Sequence, residues 1–555
     1  MKAENIEDLF QLKKAGLRSL YPQIPRVDVG MATCGRARGA NKIVEVLASE
    51  RERKGVEVTI GHTGCLGLCG FEPMVHLTMP ERPIVLYRNM TLHKSRQLIK
   101  DLKEQVIRPE WALCRISNHS FKQTDDRGYA EIPVSSELPI FKDQHRLALE
   151  HCGMINPLSI EEYVARGGYY TLFKALNTMT SEQVIEEVML SDIKGRGGAG
   201  FNTGTKWFTA SRKKAEQKFV ICNADEGDPG AFKDRVLLES NPFRILEAMA
   251  IAGYAIGSWE GFIYLRYEYP HTLKILQDAI QAARDYGFIG NNLLGTGFNF
   301  TVSIIRGSGS YVCGEETALM DSVEGKIGDP RLRPPFPVER GLWNRPTIVN
   351  NVETFSNIPS IVQKGGTWYA EMGTAQSKGT KILSVTGHIK YPGLYEVPMG
   401  TPLRKVIFDM AGGPLQGKRL KAIQVGSPFG KLLPAHQWDV PLSIESLKGL
   451  GSMLGSGVLI AIDDSHSITN VIARLVDFFK KESCGKCVPC REGVFQLSDM
   501  VRRFQAGPVT EEEQLLLGDL AETMRDFSLC GMGAGAAGPA QMALRDFPEE
   551  FGRAA

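Results

Sequence analysis

Four cysteines constrain this fold more than any other feature. Cys484, Cys487 and Cys490 stand at C-x2-C-x2-C spacing, and Cys530 follows forty residues later. A chain with this pattern must bring a tight loop and a distant turn to a common centre. Four thiolates suit a [4Fe–4S] cluster or a zinc ion. Three sulfurs on one loop cap three corners of a cubane, whereas structural zinc more often uses separated C-x2-C pairs. Lys486 and Arg491 flank the loop, and positive charge beside a cluster raises its potential. The first alternative implies electron transfer. The second implies a nucleotide-binding scaffold with a zinc-stapled C-terminal domain and no turnover.

A chain of 555 residues is too long for one core, so roughly three to five domains are expected. It is 43% hydrophobic and 23% charged, as in ordinary globular proteins. The net charge of +2 gives no bulk argument for nucleic acid or an anionic membrane. The first eight residues contain acids and no apolar core, unlike a secretory signal. The longest nearly apolar stretch, Ala248 to Gly257, is too short to span a bilayer. A cytoplasmic protein with no membrane span is expected. Its eleven cysteines then read as metal ligands and free thiols rather than disulfides.

Periodicity divides the chain into an α/β multidomain protein. Residues 1–110 form a small α/β unit, with helices over Ile6 to Leu20 and around Ile43 to Leu47. Its strands are expected at Val56–Ile60, Met74–Leu77 and Ile84–Tyr87. Residues 111–174 read as a polar, irregular linker. Residues 175–375 alternate short apolar strands (Phe219–Cys222, Phe262–Leu265, Phe300–Ile304) with helical patterns, which suggests a mostly parallel sheet. Residues 376–462 have the rhythm of a β-grasp-like unit. Residues 463–555 are helical, with an apolar stripe at Val471, Ile472, Leu475, Phe478 and Phe479 leading to the cysteines.

Four further segments carry polar chemistry. The run Gly195-Arg196-Gly197-Gly198-Ala199-Gly200-Phe201-Asn202-Thr203-Gly204-Thr205-Lys206 exposes backbone N–H groups to an anion or flat ring, unless it is simply a flexible loop. It lacks the G-K-[ST] ending of a Walker A loop, and no clear strand feeds it as the Rossmann fingerprint requires. Asn223-Ala224-Asp225-Glu226-Gly227-Asp228 and Tyr311-Val312-Cys313-Gly314-Glu315-Glu316 follow strands, where open α/β sheets bind ligands. Their carboxylates would accept hydrogen bonds from ribose hydroxyls and repel phosphate. Each run also reads as a turn with a helix cap. Asn350-Asn351, ahead of Thr354, could hold phosphate or cap a helix.

Together these segments resemble the NADH-oxidising flavoprotein subunit of respiratory complex I and its relatives in NAD-linked hydrogenases and formate dehydrogenases. The shared motifs are GRGGAGF, NADEG, GEETAL, NNVET and ESCGKC-PCREG with SLCG, in the same order over residues 150–555. The beta subunits of the cytoplasmic hydrogenases and formate dehydrogenases are the most similar in carrying an N-terminal extension.

The resemblance implies a thioredoxin-like N-terminal domain, a Rossmann-like FMN and NADH domain, a β-grasp (SLBB-like) domain and a C-terminal helical bundle with an iron–sulfur cluster. Carried over, Gly195, Gly197, Lys206, Asn223, Asp225, Tyr311, Gly314, Glu315, Asn350, Asn351 and Thr354 line the FMN site. Phe201, Lys206, Glu226, Asp228, Glu315 and Glu316 contact NADH, Phe201 by stacking on adenine. Cys484, Cys487, Cys490 and Cys530 ligate [4Fe–4S]. The family activity passes hydride between NAD(H) and FMN and single electrons through the cluster, with no side chain as acid or base. The implied partners are a thioredoxin-like [2Fe–2S] subunit and a larger multi-cluster catalytic subunit, and whether the flavin bifurcates electrons depends on them. Asn202 and Thr205 replace a usual proline and leucine. Asp228 stands where complex I subunits commonly have Glu and hydrogenase relatives share Asp.

The N-terminal domain of such beta subunits binds [2Fe–2S] through C-x4-C and C-x3-C. Here Cys65 and Cys69 keep the second pair, but the partner expected before Cys34 is Val29. Cys34, Cys65 and Cys69 remain, and Cys114 supplies a fourth thiol only if the linker folds back. The resemblance implies either a second cluster here or a vestigial docking domain.

Overall fold

Fourteen strands assemble into three sheets in a computed structural model that describes residues 2–117 and 125–552. Met1, residues 118–124 of the expected linker and 553–555 of the expected bundle lie outside the described residues. The first sheet contains β1 (Arg26–Gly30), β2 (Thr59–Thr63), β3 (Val75–Thr78), β4 (Ile84–Tyr87) and β5 (Ala112–Ile116) in the order β2-β1-β3-β4-β5. Only the β1–β2 pair is parallel. Val27, Val29, Val75, Leu77 and Val85 pack on Ile43, Leu47 and Leu98 of the flanking helices.

Three expectations shift here. The second strand begins at Thr59 rather than Val56, because its register is set by parallel pairing of Thr59 with Arg26. β1 is a strand that periodicity does not announce. It holds Arg26 and Asp28, which are buried as an ion pair of 2.8 Å and joined by Glu162 at 2.7 Å. The segment expected as an irregular linker contains β5, hydrogen-bonded to β4, and the packed helices Ile160–Ala165 and Tyr170–Thr178.

The second sheet is wholly parallel: β6 (Phe219–Ala224), β7 (Glu260–Leu265), β8 (Thr301–Arg306) and β9 (Thr347–Asn351), ordered β8-β7-β6-β9. Helices cover it, as parallel strands require. One of them, Pro242–Ile256, buries nearly every residue, so the longest apolar run of the chain is a core helix. No helix among the described residues is long and apolar enough to cross a membrane.

The third sheet joins β10 (Thr380–Gly387), β11 (Gly393–Pro398), β12 (Leu420–Gly426), β13 (Leu432–Leu433) and β14 (Val458–Asp463) in the order β11-β10-β14-β12-β13. The helices Ile468–Glu482, Val488–Ala506, Glu511–Phe527 and Gly538–Asp546 follow. They pack through Ile472, Leu475, Phe479, Val494, Leu497, Leu517 and Met524. Val471 and Phe478 of the expected stripe are only partly buried.

Candidate functional site

The C-terminal ends of the parallel strands open into a cavity of about 930 Å³. β6 delivers Asn223, Asp225, Glu226 and Asp228; the turn after β8 delivers Tyr311, Gly314, Glu315 and Glu316; β9 ends in Asn350 and Asn351. The glycine-rich loop adds Gly195, Gly197, Phe201 and Lys206. All these sequence candidates line one space. Thr354 does not: it is fully buried, and its hydroxyl accepts the Arg196 N–H at 2.9 Å. It holds the glycine loop from behind.

The loop is a built structure rather than a flexible one. Gly195 N–H donates to Phe201 O at 2.8 Å, and Lys194 bridges Asn202. Asn202 caps the Thr203–Arg212 helix by accepting the Thr205 N–H at 2.8 Å, and its amide donates to Asp192 at 2.7 Å. The two departures from the family motif therefore work as a pair. Gly198 (φ +131°) and Gly200 (φ +66°) adopt backbone that favours glycine. At Gly195 and Gly314 a Cβ would meet no protein atom closer than 3.4 Å. The protein itself leaves room there, as a flat ligand against the main chain requires.

The cavity is acidic but internally braced. Glu226 is buried; its oxygens accept the N–H groups of Asp234 (3.0 Å) and Arg235 (3.1 Å) and the Tyr269 hydroxyl (3.1 Å). Burial, with Asp234 beside it, pushes its carboxyl up to about 7. Burial likewise pushes Asp225 up to about 7. The Tyr311 hydroxyl donates to Asp228 at 2.7 Å. Lys206 reaches Glu316 at 3.2 Å and lies 5.7 Å over the half-exposed Phe201 ring at the rim. Asn350 accepts the Trp207 indole N–H at 3.0 Å, and Asn351 caps the Val352–Lys364 helix, so both asparagines are tied to structure as well as lining the space.

Sequence reasoning missed Lys233 and Asp234, on the helix Lys233–Ser240, and Ser427, Gly455 and Ser456, in the loops after β12 and before β14. Lys233 pairs with Asp234 at 2.7 Å and Glu353 at 3.2 Å. Burial opposes its charge, but the two acids hold the ammonium above its usual range. Neither residue sits in a motif; only helix packing brings them in.

The four C-terminal cysteines converge on a small cavity that they line with Val312, Pro330 and Met532. Val312, Met532 and Cys530 also line the large cavity, so one wall serves both. No three of these cysteines have sulfurs within 4.8 Å of one another. Thiolates around one zinc stand about 3.8 Å apart, so the set is too wide for a single ion and suits a cluster that spreads its ligands to separate corners. The spacing favours the cluster over the zinc alternative. Lys486 does not act as a free charge: it pairs with Asp329 at 2.7 Å and fastens the loop to the sheet unit. Tyr311 N–H, donating to Glu482 at 3.1 Å, does the same from the other side.

In the first unit, Cys34, Cys65 and Cys69 gather with all three sulfurs within 4.8 Å. Cys114 is not part of the group; it is buried on β5.

A parallel sheet with a glycine- and acid-lined cavity, sharing a wall with a wide four-thiol site, defines a nucleotide-binding electron-transfer protein. Residues 188–360 match the Nuo51 FMN-binding domain, 382–431 the SLBB domain and 470–554 the NADH-ubiquinone oxidoreductase-F iron-sulfur binding region. The chain is 47% identical over 410 residues to the HndC subunit of the NADP-reducing hydrogenase of Solidesulfovibrio fructosivorans, covering 74% of this chain and 83% of that one. It is 42% identical to the F 2 subunit of NADH-quinone oxidoreductase from Rhizobium meliloti (strain 1021), over 71% and 93%. A solved NAD+-reducing [NiFe]-hydrogenase in the H2-reduced state superposes with a TM-score of 0.64 at 28% identity, over 98% of this chain and 89% of that one. The chain belongs to the family of the NADH-quinone oxidoreductase F subunits and the hydrogenase subunit HndC. It is an NADH-oxidising oxidoreductase subunit that binds FMN and [4Fe–4S] and transfers electrons within a larger complex. The open glycine cradle fits the flavin, and the wide thiol set fits the cluster.

Proposed function

We propose that this chain is the NAD(H)-handling subunit of a cytoplasmic hydrogenase or formate dehydrogenase-type complex. The shared wall of Val312, Cys530 and Met532 carries the reading, because Cys530 borders both the cavity and the thiol site. In this reading residues 1–110 are thioredoxin-like, 175–375 hold FMN and NADH, 376–462 are a β-grasp unit and 463–555 hold the cluster. When bound, the flavin exchanges hydride with the nicotinamide and single electrons with the cluster.

The residues hold and orient. The main chain at Gly195 and Gly197 faces the flavin phosphate and ring; Asn223, Asp225, Gly314, Asn350 and Asn351 fix its polar edge. Phe201 offers a face for adenine, with Lys206 and Glu316 beside it. Asp228, Glu315 and Glu316 accept from ribose hydroxyls. Glu226 acts through structure, because its oxygens are already engaged by backbone and Tyr269. Cys484, Cys487, Cys490 and Cys530 hold the cluster. The terminal substrate is handled elsewhere, on a larger multi-cluster subunit, with a thioredoxin-like [2Fe–2S] subunit as neighbour. Support comes from similarity to a hydrogenase subunit and a solved NAD+-reducing hydrogenase.

Purification of the native complex tests both levels. Expected are a yellow-brown protein that reduces viologen dyes with NADH and partners carrying hydrogen- or formate-activating sites. Colourless protein would overturn the chemistry, and co-purification with membrane-embedded quinone-reducing subunits would overturn the parent complex.

A further inference from the structure

The three N-terminal thiols have no role in this chemistry, yet their geometry is specific. Cys34 sits in the helix Thr33–Ala37 after β1, Cys65 in the loop after β2, and Cys69 at the start of the short helical turn Cys69–Phe71. The Cys34 and Cys65 sulfurs are 3.3 Å apart, and those of Cys65 and Cys69 4.0 Å. Glu72 places Oε1 3.9 Å from the Cys34 sulfur, while Oε2 accepts the Met74 N–H at 2.8 Å. Glu72 is 3% exposed and forms no ion pair among the described residues. A carboxylate buried without a cation is costly. One aimed at a knot of thiols is relieved by a divalent ion.

Spacing selects the ion. Thiolates bound tetrahedrally at ~2.3 Å to one zinc stand about 3.8 Å apart, between the two sulfur distances here. A two-iron cluster instead needs a pair of ligands on each iron. Three thiols at one point leave the second iron bare, for Val29 is packed in the core of the first sheet and Cys114 is outside the group. Soft thiolates select zinc over magnesium or calcium. We propose that Cys34, Cys65 and Cys69 hold one zinc ion, and that Glu72, which lies beside Cys34 but outside the three-sulfur group, closes the tetrahedron when the ion binds.

The position gives the site a purpose. Thr33, beside Cys34, donates its N–H and hydroxyl to Glu239 at 2.7 and 2.6 Å. Cys65 N–H donates to the Ser240 hydroxyl at 2.9 Å. Gly67 O, between Cys65 and Cys69, accepts the Leu394 N–H of β11 at 2.7 Å. The ion therefore sits where the first sheet meets both β11 and the Lys233–Ser240 helix, which carries Lys233 and Asp234 into the cavity. It fastens the N-terminal unit to the cavity wall and carries no electrons.

Metal analysis of the anaerobically purified full chain, with zinc-edge X-ray absorption, tests this without reference to turnover. Expected are one zinc beside the irons of a single [4Fe–4S] cluster, with three sulfurs and one light-atom ligand around it. Glu72→Gln should keep iron and flavin but surrender zinc to a chelator at least about tenfold more readily, and Cys65→Ser should lack zinc. Extra iron with a [2Fe–2S] signal, a metal-free site, or a Cys34–Cys65 disulfide in a mass map would each overturn the proposal. So would Glu72→Gln holding zinc as tightly as the parent. The unmutated chain decides by itself if the variants fail to fold.

Discussion

Asp225 and its neighbours show how single residues tune nucleotide binding. The Asp225 carboxyl, raised to about 7 by burial, stays neutral below that pH and becomes an anion above it. A new charge near the anionic FMN costs about 1 kcal/mol, roughly fivefold, at the effective dielectric of such sites. FMN affinity should therefore fall by that factor between pH 6 and 8, and Asp225→Asn should flatten the profile. The wall also decides between nucleotides. It carries seven carboxyl side chains and only three cations, Lys206, Lys233 and Arg333, each already in an ion pair. A 2′-phosphate finds no free guanidinium, so kcat/KM should favour NADH over NADPH by roughly 100-fold or more. Equal values for the two would show that the acids do not face the ribose. Asn202 gives a stability test. Asn202→Ala removes the cap and should cost about 1 kcal/mol. Asn202→Pro fits the residue's φ of −65° and should lie within about 1 kcal/mol of the parent in urea unfolding. At this scale much of the site was legible, because glycines, acids and asparagines at strand ends announce a cavity. Lys233, Asp234 and Ser456 were not, since their chemistry arises only when helix and sheet meet.

Elements are held in place by a few buried charges, and these are where sequence patterns mislead. Periodicity announces no strand at β1, because Arg26 and Asp28 interrupt its two valines. Inside the protein Glu162 completes their pairing, and Val27 and Val29 pack in the core. Glu353 is a comparable node. It begins the Val352–Lys364 helix, yet its Oε1 accepts the Ile382 N–H of β10 at 2.8 Å. Its Oε2 pairs with Lys381 and, at 3.2 Å, with Lys233. Burial lowers the Lys381 ammonium to about 8, though Glu353 opposes the shift. One carboxylate thus joins the parallel sheet, the third sheet and the cavity helix. Glu353→Gln leaves two buried ammonium groups short of a partner, which should cost about 3–5 kcal/mol. The variant should unfold at lower urea and release FMN more readily. An unchanged midpoint would mean that the node contributes packing rather than charge.

The whole molecule joins two sites through one wall, and this allows them to be separated by mutation. The cysteine spacing made a convergent site legible from the sequence. It did not reveal that Cys530 also borders the cavity, because that depends on how the helical bundle seats against the sheet unit. Cys487 differs from Cys530 in this respect. It precedes the Val488–Ala506 helix and lines the thiol site alone. Cys487→Ser should therefore remove the outlet without touching the cavity. FMN content and NADH-dependent bleaching of the flavin should stay within about twofold of the parent, while transfer to the native partner subunits should drop by about 100-fold or more. Cys530→Ser alters both spaces, so FMN retention should fall with it. Stopped-flow flavin reduction alongside partner reduction in the assembled complex separates the two effects. Sustained partner reduction in Cys487→Ser would mean that electrons leave by another route. Zinc at the N-terminal thiols, which cannot change redox state, would leave no such route through the first unit.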